Sequence, residues 1–116
     1  MPPEDRDYAY LWDMLDAAES ALSYVEGLEA QQAIDDEMRM AAFERKLEIV
    51  GEAARRVSAA FADAHPEIPW RGVIGLRNVL AHKYGEIDRQ QLYETAVRDL
   101  PALIAALRNL TPPLEE

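Results

Sequence analysis

An arginine, an asparagine, a histidine and a tyrosine crowd into one short stretch, Gly75-Leu76-Arg77-Asn78-Val79-Leu80-Ala81-His82-Lys83-Tyr84-Gly85. Asn78 and His82 are four apart and share a helical face, so the amide can orient the imidazole. Arg77 precedes His82 by five residues, roughly 140° round a helix, and its long side chain can swing to the same end. A neutral imidazole can take the proton from a ribose 2′-hydroxyl attacking the adjacent phosphate, or return one to the leaving oxygen. A guanidinium can hold the crowded phosphorane through paired, charge-assisted hydrogen bonds. That chemistry needs no metal. One chain makes a loose site, whereas two chains about a twofold axis along this helix would bring two arginines and two histidines into one cleft.

The same residue types also have structural uses. A histidine at a helix C-terminus suits the dipole, a surface arginine faces solvent, and a tyrosine before a capping glycine packs. Spacing alone leaves both readings open. His65, in a proline-bounded turn, reads as structural, and Trp12 and Trp70 read as core or interface anchors.

Other chemistries lack their residues. The sequence has no Gly-rich phosphate loop, no Gly-Ser start of a nucleotidyltransferase site and no His-x-x-x-His pair. With no cysteine and two histidines there is no disulfide, thiolate nucleophile or metal cage to build, and no cofactor is expected. Asp5, Asp7, Asp13, Asp16, Glu19 and Glu26 interrupt the first apolar stretch, so neither a signal peptide nor a membrane span can be drawn and a cytoplasmic protein is expected. The net charge of −10 argues against a nonspecific grip on nucleic acid. Its distribution is uneven: residues 38–89 hold nine basic and seven acidic side chains, leaving −12 on the remainder. An anionic ligand should meet the middle of the chain.

The elements that must position these residues are helical. The length of 116 residues and 49% hydrophobic content fit one domain over 1–116, with its core at about 5–110 and a loose tail at 111–116. Tyr8, Leu11, Leu15, Ala18, Leu22 and Val25 step by three and four along a first long helix that stops near Gly27. Met40, Phe43, Leu47, Val50, Ala54, Val57 and Phe61 mark a second, antiparallel to it, with Asp35 or Asp36 as N-cap. Pro66 and Pro69 break the pattern, and a short helix follows from about Trp70 to His82, with Gly85 placed to cap its end. Leu92, Ala96, Leu100, Leu103, Leu107 and Leu110 define a last helix, capped by Asp88 and kinked or divided at Pro101. The expected fold is all-α, an up-and-down bundle of four helices, or five if Pro101 divides the last.

Arg77-x4-His82-x-Tyr84 resembles the R-x4-H-x-Y signature of the HepT-like branch of the HEPN domain superfamily. Leu47-Glu48-Ile49-Val50-Gly51-Glu52-Ala53-Ala54-Arg55-Arg56-Val57 resembles that branch's long second helix, and His65-Pro66-Glu67-Ile68-Pro69-Trp70 the loop leading into its motif helix. The likeness runs from roughly residue 5 to residue 110. It implies a homodimeric, all-helical toxin of a type VII toxin–antitoxin pair, acting as a metal-independent endoribonuclease on RNA. Its partner would be a minimal nucleotidyltransferase (MNT) antitoxin that transfers AMP from ATP to the motif tyrosine. Carried over, Arg77 and His82 are the catalytic pair, Asn78 is auxiliary and Tyr84 is the adenylylated residue. Two function classes follow: a ribonuclease toxin, favoured by the intact motif, and a noncatalytic helical partner that regulates a nucleotidyltransferase, favoured by the acidic balance.

Overall fold

A computed structural model describes the backbone of residues 3–81 and 89–112 and the side chains of residues 5–76 and 89–112. Every regular element among them is a helix: α1 (Pro3–Val25), α2 (Ala30–Asp35), α3 (Glu37–Arg56), α4 (Ala59–Ala64), α5 (Trp70–Ala81) and α6 (Arg89–Leu110). The expected all-α bundle is what forms, with two short helices, α2 and α4, in addition.

Local chemistry sets the boundaries. Gly27 adopts φ +81, a left-handed conformation that costs a side-chain-bearing residue energy, and so closes α1. Asp36 caps α3, its carboxylate accepting the Arg39 N–H at 3.0 Å. The helix expected to run on to Phe61 ends at Arg56 instead. Ser58 is taken out of the helical ladder by Asp7, 51 residues earlier, which accepts both the Ser58 N–H at 2.8 Å and its hydroxyl at 2.7 Å. The same hydroxyl accepts the Phe61 N–H at 3.2 Å and so begins α4.

The core is one apolar cluster drawn from Leu11, Met14, Ala18 and Val25 of α1, Met40, Phe43, Leu47 and Val50 of α3, and Leu100, Leu103 and Leu107 of α6. Helices α1 and α3 are antiparallel, since Arg39 donates to the Tyr24 carbonyl at one end while Asp7 holds Ser58 at the other. Helix α5 packs on α3, and α6 on α1.

Pro101 does not divide α6. It is exposed, so the carbonyl of Val97 deprived of its helical donor lies on the solvent side. Thr111, expected in the tail, is buried and closes α6, its N–H and hydroxyl both donating to the Leu107 carbonyl at 2.9 Å. Among the described residues no helix is long and apolar enough to cross a membrane.

Candidate active site

The helix that carries the motif is clamped at its start. The His65 carbonyl accepts from the Ile68 N–H at 3.3 Å and the Trp70 indole N–H at 2.9 Å, and Ile68 is buried in the core. The His65 ring stacks at a tilt on Phe61, with centroids 4.4 Å apart, and Phe61 meets Tyr8 edge-on. Nδ1 of His65 lies 3.2 Å from Glu67. The Glu67 carboxyl is held below its ordinary pKa, first by its own backbone N–H and then by His65. His65 is therefore part of the turn that sets the entry of α5, as its sequence context indicates. Pro69 supplies φ without needing a donor, and its carbonyl accepts the Val73 N–H at 3.0 Å.

Arg77 and Asn78 stand in the C-terminal half of α5. By helical register Arg77 follows the stripe of Val73, which is buried, and Asn78 that of Arg71, which is exposed. His82 and Tyr84 lie outside the described residues, as do Gly85 and Asp88, the caps expected for the flanking helices. Val73 is buried within the chain itself, and Ile74 is half-buried against the same core.

A feature not singled out from the sequence lies beside α5. Between α5 and α6 lies an apolar groove of about 530 Å³. Leu47, Val73, Leu92, Leu100 and Leu103 line it with Pro69, Gly72 and Leu76 of the α5 side and Thr95, Asp99, Ala102 and Ala106 of α6. The small residues at spacings of seven and four on α6 are the sequence signal for it, masked by the stronger leucine series. A Cβ at Gly72 or Gly75 would meet nothing within 4 Å, so this side of α5 is open.

Charge on the described surface is largely neutralised locally. Arg39 pairs with Asp36, Arg45 with Glu48, Arg55 and Arg56 with Glu52, Arg89 with Glu44, Arg98 with Asp99 and Arg108 with Glu19. Arg6, Lys46 and Arg71 stand outside these pairs.

The fold defines a class, the all-α HEPN-like bundle. The chain belongs to the Ribonuclease HepT-like family, whose model matches residues 14–110. It is 35% identical over 95 residues to the Methanocaldococcus jannaschii protein named "Putative RNase MJ1380", covering 82% of this chain and 87% of the relative. It is 34% identical over 101 residues to "Probable ribonuclease HepT" of Thermococcus cleftensis, covering 87% and 92%. No solved structure matches the chain.

Proposed function

We propose that the protein is a metal-independent endoribonuclease, the toxin of a type VII toxin–antitoxin pair, working in the cytoplasm as a homodimer. The observation that carries the reading is the family match, whose span includes Arg77, Asn78, His82 and Tyr84. In the proposed reaction His82 takes the 2′-hydroxyl proton as that oxygen bonds to the neighbouring phosphorus. The bond from phosphorus to the 5′-oxygen breaks, leaving a 2′,3′-cyclic phosphate, and the departing 5′-oxygen takes a proton back from the His82 imidazolium. Arg77 neutralises the charge on the non-bridging oxygens, and Asn78 orients the imidazole.

The apolar groove between α5 and α6 supports the homodimer, because an open apolar surface beside the motif helix is what a second copy would cover to assemble a composite cleft. Regulation is assigned to Tyr84. An MNT-type antitoxin would transfer AMP from ATP to its phenol, adding a phosphodiester charge and an adenosine where the RNA phosphate must bind.

The deciding experiment is cleavage of total RNA by purified protein in EDTA. Wild type should cut, and His82→Ala should lose about 10² to 10⁴ in rate without losing its helicity. Equal cleavage by the two, or none by wild type, sinks the reading. The paired state of most described cations and the net charge of −10 favour a second reading, a noncatalytic partner of a nucleotidyltransferase. It predicts no RNA cleavage by the purified protein and equal toxicity of wild type and His82→Ala.

A further inference from the structure

Arg71 is the cation on the described surface that the fold leaves open on the motif helix. It is exposed and enters no ion pair or hydrogen bond among the described residues, whereas the arginines of α3 and α6 are engaged by carboxylates. The acidic residue four before it, Glu67, is turned to His65 and to its own backbone N–H. The other described cations outside pairs are elsewhere, Arg6 on α1 and Lys46, half-buried, on α3.

Register places Arg71 in line with the motif. Arg71, Gly75 and Asn78 follow one another at i, i+4 and i+7 along a single stripe of α5. Seven residues of helix span about 10 Å, which is roughly three stacked nucleotides at 3.4 Å of rise each. Gly75, between the two, has no side chain, and a Cβ there would meet open space. A strand laid along this stripe would pass over bare backbone between a cation at one end and the motif at the other. An exposed, unneutralised guanidinium is suited to a phosphate oxygen pair.

Resting on the ribonuclease reading, we infer that Arg71 is a substrate-positioning residue: it binds a backbone phosphate of single-stranded RNA about three nucleotides along the strand from the one that lies over Asn78. It contributes to binding the strand and takes no part in proton transfer. Ground state and transition state are held alike, so its loss should act on KM and leave kcat.

The test uses the full-length protein and a short single-stranded RNA of mixed sequence with every ribose 2′-O-methylated, which cannot be cut. Binding is followed by fluorescence anisotropy over a salt series, and cleavage kinetics are measured on the unmethylated strand. Arg71→Ala should bind about two- to fivefold more weakly, with the salt slope reduced by about 0.7 for the single phosphate it no longer neutralises. KM should rise by a similar factor with kcat unchanged. Arg71→Lys should restore the slope, because it keeps the charge. Arg108→Ala removes the same charge from a residue paired with Glu19 and should leave slope and KM alone. If wild type binds and cuts while Arg71→Ala matches Arg108→Ala, the Arg71 assignment is wrong and the ribonuclease reading stands. If wild type neither binds nor cuts, both fall.

Discussion

Asp7 and Ser58 are bound to each other twice across 51 residues, carboxylate oxygens to hydroxyl and to backbone N–H, at 2.7 and 2.8 Å. Asp7 is 5% exposed, and the pair fixes where α3 stops and α4 starts, two steps before the motif helix. Replacing Asp7 by alanine leaves the Ser58 N–H without its acceptor in a poorly solvated place. The expected loss is about 1–3 kcal/mol, lowering the melting temperature by roughly 4 °C per kcal/mol. Ser58→Ala removes the α4 cap as well as one of the two bonds. The double variant should fall short of the sum by about 1 kcal/mol, and strict additivity would show the interaction to be energetically idle.

The N-cap of α3 makes stability depend on pH. The Asp36 carboxyl is lowered below 3.8, chiefly by the Arg39 backbone N–H, with burial opposing and the Arg39 side chain assisting. A carboxylate whose folded pKa is depressed stabilises above its unfolded pKa and loses that contribution as pH falls through the folded value. Asp36→Asn keeps a capping oxygen and deletes only the charge. Its urea midpoint should lie below that of wild type at neutral pH, and the gap should close below 3.8. A gap unchanged down to acid pH would mean that the charge has no part in the cap.

These two carboxylates show what the sequence could reveal. Asp36 was legible as a cap because its donor is three residues away and the helical pattern begins beside it. Asp7 was not, because its partner is 51 residues away and the apolar stripe of α3 runs through Val57 to Phe61 as if nothing intervened. The groove was hidden likewise: residues of α3, α5 and α6 line it together, a relation between elements that no single periodicity encodes. The proposed motif rests on residue types and on resemblance, and the structure describes only the helix that holds its first part, with Arg77 and Asn78 on adjacent positions of α5.

Pro101 offers a test of helix accounting. It lacks the N–H that would reach the Val97 carbonyl, yet α6 continues past it. An interior proline costs a helix about 3 kcal/mol, offset by roughly 1 kcal/mol from a stiffer unfolded chain. Pro101 is exposed, so Pro101→Ala should stabilise by about 1–2 kcal/mol in urea unfolding. A loss of stability would mean that the ring packs where the fold shows solvent.

Ala102 separates the groove's use from its existence. It is exposed on the α6 wall, so Ala102→Arg should change the stability of one chain by no more than about 0.5 kcal/mol. In the proposed dimer the same arginine would be buried against a second copy without a partner charge. Sedimentation equilibrium at micromolar concentration should find wild type dimeric and the variant monomeric. A monomeric wild type, or a variant dimer of undiminished strength, would remove the groove from the interface.

Tyr84 carries the regulatory part of the proposal. Tyr84→Phe keeps the ring and deletes the phenolic oxygen that would attack the α-phosphorus of ATP and displace pyrophosphate. The variant should therefore still cleave RNA, since proton transfer is assigned to His82, yet escape neutralisation when incubated with a nucleotidyltransferase antitoxin and ATP. Mass spectrometry of the wild-type protein after the same incubation should show added AMP on the peptide that holds Tyr84. The modified protein should bind RNA less well without unfolding, because the new phosphodiester occupies the guanidinium and repels the substrate backbone. AMP found on another residue, or a Phe variant still silenced by ATP-dependent transfer, would move the regulatory site off Tyr84 while leaving the cleavage chemistry of Arg77 and His82 to stand on its own test.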